Sequence, residues 1–156
     1  MLLAVGAMVL LSTTLLNFNQ SNFDSNMALI DSKSKILAVS LANSFIEEAT
    51  GKSFDVATVN NSVTQLDQLS NIGKSSNESY PHFNDFDDYD GLELTVNSLP
   101  AAEFTIQCKV DYIDPSNPNV PASGKTWHKK ITVSVFSDAM RDTVKMSQIF
   151  SCFYFR

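Results

Sequence analysis

The sequence predicts an α+β fold in which a long N-terminal helix with a protruding apolar half packs on a roughly four-stranded antiparallel sheet. Residues 1–16 carry no charge and are mostly apolar. Apolar residues then recur at helical spacing as far as Thr50, and from Leu92 onward they alternate with polar residues at the spacing of a strand. One helix followed by several strands is typical of this fold class.

Residues 1–16 form the first part of the predicted helix, since they read MLLAVGAMVLLSTTLL without proline or charge. Sixteen residues of helix rise about 24 Å, which is marginal for a bilayer core of about 30 Å. A secretory signal peptide is disfavoured, because the first basic residue is Lys33, well after the apolar run. Gly6 and Ala7 would let a second helix approach closely, as small residues do where apolar helices associate.

Two further segments complete a helical unit that we place at residues 1–51. Residues 17–26 are crowded with Asn, Ser and Asp, which favour helix less than Ala or Leu. We therefore expect a weakened or unwound segment there, with a continuous helix held by packing as the alternative. Residues 27–50 have the spacing of an amphipathic helix.

The amphipathic part is predicted to have one apolar face that packs on the rest of the protein. That face is expected to contain Ile30, Leu37, Leu41 and Phe45, with Ile36, Val39 and Ile46 on its flanks. Gly51 follows and is expected to end the helix in a left-handed cap. A helix over residues 1–50 would be about 75 Å long, against a radius of gyration of about 13 Å for a 100-residue domain. Roughly half of it would project, and a projecting apolar half needs a partner.

Residues 52–156 are predicted to form a β-rich globular head that starts with a connector loop at residues 52–91. The connector is polar, with a short apolar periodicity from Val56 to Leu66 that allows one short helix. Four strands are expected after it, with a Pro- and Asn-rich hairpin loop between the second and the third. The runs that predict them are Leu92 to Val96, Phe104 to Tyr112, Ile131 to Val135 and Thr143 to Phe155.

The net charge argues against nucleic acid as a partner, and no motif indicates an enzyme. The formal net charge of -6 would repel phosphates, and no basic stripe offsets it. His82 and His128 are the two histidines, and neither lies in a zinc, metalloprotease or nucleophile motif. We therefore predict no catalytic residues.

Four carboxylates lie within six positions, at Asp85, Asp87, Asp88 and Asp90. An oxygen-rich loop of this kind can hold calcium, which would relieve the repulsion among the carboxylates. The segment departs from the EF-hand pattern, since taking Gly91 as the turn glycine puts Phe86 at the first ligand position. A solvated, hydrogen-bonded turn is the alternative, and calcium is the one cofactor that the sequence leaves open.

Two cysteines, Cys108 and Cys152, share the apolar phase of their predicted strands. One interpretation is a disulfide, which an extracytoplasmic chain would favour if the strand register brings the two Cα atoms within about 7 Å. The other is a pair of buried thiols.

The order of these segments resembles that of type IV pilins and the related pseudopilins. The resemblance is architectural and covers the whole chain, from the uncharged N-terminal run to the four-stranded sheet. Its most specific local part is FDDYDGL, Phe86 to Leu92, which is similar to an Asp-rich segment in some minor pilins of mannose-sensitive haemagglutinin pili. Most pilins have glutamate at the fifth mature position and many have proline near position twenty-two, where this chain has Val5 and Asn22.

The resemblance implies a subunit that is anchored in the inner membrane before assembly, trimmed before the apolar run, and polymerised with copies of itself into an extracellular filament. With Val5 in place of the glutamate, the docking register would rest on apolar packing. The runner-up hypothesis is a membrane-anchored extracytoplasmic binding module, with calcium dependence as one variant. The residues implied to pack in the filament core are Met1, Leu2, Leu3, Val5, Gly6, Val9, Leu10, Leu15 and Leu16.

Overall fold

One long helix and a five-stranded antiparallel sheet form the fold. The structure, a computed structural model, describes residues 2–60, 62–99 and 102–152. Helix α1 spans Leu2–Thr50. The strands are β1 (Glu93–Val96), β2 (Phe104–Asp114), β3 (Asn117–Pro121), β4 (His128–Phe136) and β5 (Val144–Ser151). The predicted α+β fold class is confirmed.

Helix α1 is continuous through residues 17–26, so the expectation of an unwound segment there was wrong. Each Asn, Ser or Asp costs less than about 1 kcal/mol relative to Ala, and helix on both sides spares the segment the cost of nucleation. At the end of the apolar run the hydroxyls of Thr13 and Thr14 donate to the carbonyl of Leu10 at 3.0 and 2.8 Å. The hydroxyl groups of these side chains are therefore hydrogen-bonded within the helix.

The helix ends at Thr50 without a left-handed glycine. The N–H of Gly51 still donates to the carbonyl of Glu47 at 3.0 Å, and the N–H of Lys52 donates to Ala49 at 3.1 Å in a tighter turn. Positive φ angles occur, among the glycines that the structure describes, at Gly73 and Gly91. The cap predicted at Gly51 was therefore wrong.

The face of α1 that packs on β4 and β5 is lined largely by small residues. Its buried side chains are Ser34, Ala38, Ala42, Phe45, Ile46 and Ala49. Small side chains let the helix backbone lie close to the sheet. The buried face of the helix is therefore centred on alanines, whereas the predicted face was centred on large apolar residues. Phe45 is buried as predicted and Leu37 and Leu41 are half-buried, but Ile30, Ile36 and Val39 are exposed.

The strands lie in the order β1-β2-β4-β5, and β3 pairs with the end of β2. Neighbouring strands are antiparallel throughout this order. All four predicted strands are present, and the proline-rich connection contains β3 as an addition. The end of the last predicted strand, residues 153–155, lies outside the described residues.

The inner face of the sheet builds the core together with α1. Alternate residues of β2 and β4 are buried there, as the period of two requires: Phe104, Ile106, Cys108, Val110, Ile131, Val133 and Val135. The same alternation places Lys129, two residues before Ile131, on the inner face, where it is completely buried. A charged side chain in this position requires partners, which the connector supplies.

The connector between α1 and β1 packs on the end of the sheet where β2 finishes and β4 begins. It contains the short helix α2 (Val56–Asn60), as predicted, and two single turns of 3-10 helix at Leu66–Gln68 and Asp87–Tyr89. A second apolar cluster joins it to β2 and is formed by Phe54, Val63, Leu69 and Tyr112.

Cys108 and Cys152 are both free thiols, so the disulfide interpretation was wrong. Cys108 of β2 pairs with Val133 of β4, and Val133 pairs with Met146 of β5. Met146 lies six residues before Cys152 along the same strand direction. Six residues of strand span roughly 20 Å, whereas a disulfide needs Cα atoms within about 7 Å. Burial raises the pKa of the Cys108 thiol to about 12, which makes it unreactive at neutral pH.

Candidate functional site

The first half of helix α1 is not covered by any other part of the chain that the structure describes. Every described side chain from Leu3 to Ile30 is exposed, and the first buried one is Ser34. These residues correspond to about 42 Å of helix. By length and composition, α1 could also cross a membrane. We call residues 3–30 the uncovered half.

Seven of the nine residues predicted to pack in a filament core lie on the uncovered half. Leu3, Val5, Val9, Leu10, Leu15 and Leu16 all have exposed large side chains. Phe18, Phe23 and Met27 are exposed as well, and they were not predicted as packing residues because polar residues surround them in the sequence. Only the helical backbone of Leu2 is described, and Met1 lies outside the described residues. Apolar exposure on this scale marks a surface that binds something.

Large apolar side chains project from the uncovered half in most directions. One side is polar instead, because spacings of four, three and four residues align Thr13, Asn17, Gln20 and Asp24. Two further steps of seven residues, from Asp24 to Asp31 and from Asp31 to Ala38, continue this line along the helix. Ala38 is buried against the sheet. The polar line therefore lies on the head side of α1, and the large apolar side chains between Thr13 and Asp24 point in other directions.

Gly6 forms the floor of a shallow groove on the uncovered half. The groove measures about 430 Å³ and is lined by Leu3, Gly6, Ala7 and Leu10. A Cβ atom added at Gly6 would meet no atom within 4 Å, so the isolated chain has room for a larger residue there. A groove of this kind is the shape that close approach of a second helix requires.

Three of the four aspartates predicted as calcium ligands are bound by backbone amides. Asp85 accepts the N–H of Asp87 at 3.1 Å, and Asp88 accepts the N–H of Asn84 at 3.0 Å. Asp90 accepts the N–H of a residue on β2 at 2.9 Å. In the part of the chain that the structure describes, no three carboxylate, thiol or imidazole groups are placed to hold a metal ion. Calcium binding stays a prediction.

The fourth aspartate, Asp87, pairs with a buried lysine. Lys129 Nζ lies 2.6 Å from Asp87 Oδ1 and 2.8 Å from Asp55 Oδ2. It also donates to the carbonyl of Phe54 at 2.9 Å. The rings of Phe54 and Tyr112 lie 4.6 and 5.1 Å from the same nitrogen, and both attract it. All three charged side chains are buried, so the charges are balanced by one another and not by water.

Ser70 joins the two carboxylates of this ionic cluster. Its Oγ lies 3.0 Å from Asp55 Oδ2 and 2.8 Å from Asp87 Oδ2, and its N–H donates to Asp55 at 3.0 Å. The hydroxyl of Tyr112 donates to the carbonyl of Ser70 at 2.9 Å. The cluster therefore ties the start, middle and end of the connector to Lys129 of β4 and Tyr112 of β2.

The roles of Lys129, Asp55 and Ser70 were not predicted from the sequence. A signal for Lys129 was present, because it shares the phase of Ile131 and Val133, and a lysine on the inner face of a strand requires carboxylate partners. No comparable signal marks Asp55, which lies 74 positions from Lys129 in a connector where polar residues are common.

The pKa values of two buried aspartates in this region shift in opposite directions. Burial raises the pKa of Asp85 to about 8, and the neighbouring carboxylate of Asp87 pushes it the same way. Burial also opposes ionisation of Asp55, but the hydrogen bonds from Lys129 and from two backbone amides outweigh it and lower the pKa. At neutral pH Asp55 is therefore ionised against Lys129, whereas Asp85 is protonated.

Replacing Asp85 with asparagine is expected to remove one source of pH dependence in stability. The pKa of an unfolded aspartate is about 3.9, whereas folded Asp85 holds its proton up to about pH 8. Between these values the folded chain binds the extra proton, so this group makes the free energy of unfolding fall as pH rises, by up to about 1.4 kcal/mol per pH unit. Denaturant unfolding of both proteins between about pH 5 and 9 measures the difference.

Asparagine has the shape of a protonated carboxyl group, so the fold should be retained. The Asp85→Asn variant should gain stability relative to the wild type as pH rises, and the gain should level off above about pH 8. Parallel pH profiles for the two proteins would contradict this assignment.

The two histidines have separate local partners. His128 Nδ1 lies 2.7 Å from Ser151 Oγ across β4 and β5. His82 is exposed, and its backbone N–H donates to the carbonyl of Ser79 at 2.8 Å. These contacts add no candidate catalytic group, and the absence of enzymatic activity stays a prediction.

Comparisons with known protein families, with curated proteins and with solved structures found no match to this chain. The resemblance to type IV pilins therefore rests on the order of the segments and on the residues named for it. The uncovered half of α1 and the head that it supports are the features of the molecule that bear on function.

Proposed function

We propose that this chain is a structural subunit of an extracellular, type IV pilus-like filament that polymerises through the uncovered half of α1. The observation that carries the proposal is the continuous exposure of side chains from Leu3 to Ile30. Burying one Leu or Phe side chain is worth about 1.5–3 kcal/mol, so a surface with this many of them gains strongly from being covered. Sister helices can supply that cover.

One neighbour would not be enough. Large apolar side chains leave the uncovered half in most directions, and a closed pair would cover one side of each helix. Head-to-tail contacts repeated around a common axis bury more sides and generate a helical polymer. The polar line at Thr13 to Asp24 lies on the head side, so helices that meet through their apolar sides would leave the heads outside.

The partners in this proposal are copies of the chain, with a bilayer holding the same helix before assembly. The net charge of -6 disfavours nucleic acid. The proposal needs neither a cofactor nor a catalytic residue. The ionic cluster around Lys129 would then serve to fix the connector to the end of the sheet.

The second candidate is a membrane-anchored extracytoplasmic binding module. The observation in its favour is that α1 is long and apolar enough to cross a membrane. A bilayer also surrounds a helix on all sides, so it accounts for apolar side chains in most directions. In this case the head alone would carry the function. In one variant of this candidate, binding by the head depends on calcium held at the Asp-rich turn.

Electron microscopy of native material separates the two candidates. We expect regular helical filaments from the full chain and none from a variant that lacks residues 1–16, because that deletion removes most of the apolar surface. The core of the head starts at Ser34, so the deletion variant should stay folded and soluble. Monomers that only detergent releases from membranes would reject the filament and favour the anchored module.

A further inference from the structure

The ionic cluster places an amine, a carboxyl group and a second carboxylate in contact inside the protein. Lys129 Nζ lies 2.8 Å from Asp55 Oδ2 and 2.6 Å from Asp87 Oδ1. A carboxyl C–O bond is about 1.2 Å long, so Asp55 Cγ lies no more than about 4 Å from Nζ. Groups that are bound ready to react lie about 3–3.5 Å apart. The amine is therefore close to the carbon that it would attack to form an amide.

The surroundings of this pair disfavour separate charges. The side chains of Lys129, Asp55 and Asp87 are cut off from water, and the rings of Phe54 and Tyr112 lie 4.6 and 5.1 Å from Nζ. Holding an ammonium group and a carboxylate in such a place costs desolvation free energy. Amide formation removes one positive and one negative charge. The folded chain therefore favours the neutral product more than water does.

We propose that the folded chain forms an isopeptide bond between Lys129 Nζ and Asp55 Cγ autocatalytically, with Asp87 moving the protons. The Nζ–Cγ bond forms, the Cγ–Oδ2 bond breaks, and Oδ2 leaves as water. Two of the three ammonium protons end on that water and the third stays on the amide nitrogen, so the reaction needs no other reactant. The ion pair in the structure is the state before the reaction. The inference goes beyond the proposed function and holds whether or not the chain forms filaments.

Hydrogen bonds distinguish Asp55 as the carboxyl group that is attacked. Its Oδ1 accepts the backbone N–H of Ala57 at 3.0 Å and that of Ser70 at 3.1 Å. When Nζ adds to Cγ, negative charge concentrates on Oδ1, and two fixed N–H groups stabilise it there. The hydrogen bonds described for the Asp87 carboxylate come instead from the side chains of Lys129 and Ser70. Asp55 therefore accepts the new bond, and Asp87 carries protons.

Ser70 completes a path for protons from the amine to the leaving oxygen. Asp87 Oδ1 contacts Nζ, and Asp87 Oδ2 lies 2.8 Å from Ser70 Oγ. Ser70 Oγ lies in turn 3.0 Å from Asp55 Oδ2, the oxygen that leaves. A hydroxyl group has one hydrogen, so it donates to one carboxylate and accepts from the other once that other is protonated. A proton that Asp87 takes from Nζ therefore reaches Asp55 through Ser70 after the Asp87 carboxyl group rotates.

The bond would join the start of the connector to β4. Asp55 and Lys129 are 74 positions apart, and a cross-link over such a span restricts the unfolded chain as a disulfide does. Cys108 and Cys152 are both free thiols, so the isopeptide bond would supply a cross-link that reducing agents do not break. In the bonded chain, the stability lost on removing Lys129 is therefore larger than the loss of the ion pair alone.

Peptide mapping of the full chain by mass spectrometry tests the proposal. After trypsin digestion we expect a branched peptide that joins Lys129 to the fragment containing Asp55, with a mass lower than that of its two parts by one water molecule. Wild-type protein in which Lys129 stays unmodified overturns the proposal. A loss of water confined to Asp90 and Gly91 overturns it as well, because an Asp-Gly pair loses one water when it closes to a cyclic imide.

Lys129→Arg and Lys130→Arg are the matched pair of variants. Both keep the positive charge, but a guanidinium group stays protonated and does not act as the nucleophile. Lys129→Arg should abolish the branched peptide. Lys130→Arg should retain it, because Lys130 lies on the other face of the sheet. The wild-type map decides the proposal even if Lys129→Arg does not fold.

Asp87→Asn tests the assigned proton transfer. Asparagine keeps the shape of the side chain but does not take a proton from the amine, and general acid–base catalysis contributes at least about 100-fold to a rate. We expect at least about tenfold less branched peptide from this variant than from wild-type protein purified in parallel. A wild-type yield from Asp87→Asn, or a wild-type branch that joins Lys129 to Asp87, would overturn the roles given to the two aspartates.

Discussion

Replacing Lys129 with methionine is expected to lower the free energy of unfolding by about 3–5 kcal/mol. The substitution removes the ammonium group that lies 2.8 Å from Asp55 and 2.6 Å from Asp87. Both carboxylates are buried, so they would face the low-dielectric interior without the cation that balances them. Denaturant unfolding at neutral pH measures the loss, with the midpoint and the slope compared to the wild type.

Lys130→Met is the matched control, because Lys130 is the next residue of β4 and lies on the other face of the sheet. Its Nζ donates to the carbonyl of Pro118 in a partly exposed contact, so its loss should cost no more than about 1 kcal/mol. Adding Asp55→Asn and Asp87→Asn to Lys129→Met should recover part of the lost stability, because no buried charge then stays unpaired. Equal losses in the Lys129 and Lys130 variants would contradict the assigned role.

Local spacing was enough to predict the fold class and most of the strands. Alternation over residues 104–112 predicted β2, which runs over Phe104–Asp114. The prediction for β4 began at Ile131, although the strand begins at His128. Lys129 interrupts the apolar phase there, so the predicted strand began three residues late. Lys129, the residue that shortened the predicted strand, is the central residue of the ionic cluster.

The packing face of α1 was harder to predict, because the pattern ranks large apolar residues first. It selected Ile30 and gave Ile36 a flanking position, whereas the structure buries Ala38 and Ala42 completely. A helix that lies close to a sheet has room for small side chains at the contact. The large residues that this contact leaves out, Ile30 and Ile36, stay exposed.

The partners of Lys129 in the ionic cluster could not be predicted, since they meet it only in the folded chain. Asp87 and Lys129 are 42 positions apart, and Asp55 and Lys129 are 74 positions apart. The sequence showed four neighbouring aspartates and suggested an external cation to balance them. The structure shows that Asp87 is balanced by an internal cation and that backbone amides bind the others.

Replacing Gly6 with leucine is expected to reduce filament assembly at least about tenfold while leaving the single chain intact. A Cβ at Gly6 meets no atom within 4 Å, and leucine favours helix over glycine by close to 1 kcal/mol. The head is far along the helix and should keep its stability. In a bundle, however, the added side chain would fill the groove between Leu3 and Leu10 and hold a neighbouring helix away.

The same variant distinguishes a packed bundle from a solitary anchor, because leucine is more hydrophobic than glycine. A lone membrane helix that carries Gly6→Leu should insert at least as well as the wild type, whereas a bundle should lose close contacts. Gly124→Leu is the control, since a Cβ there also meets no atom within 4 Å and the position lies on the head. Sedimentation and electron microscopy of the two variants give the comparison. Wild-type assembly of Gly6→Leu would mean that the helices do not meet at this groove.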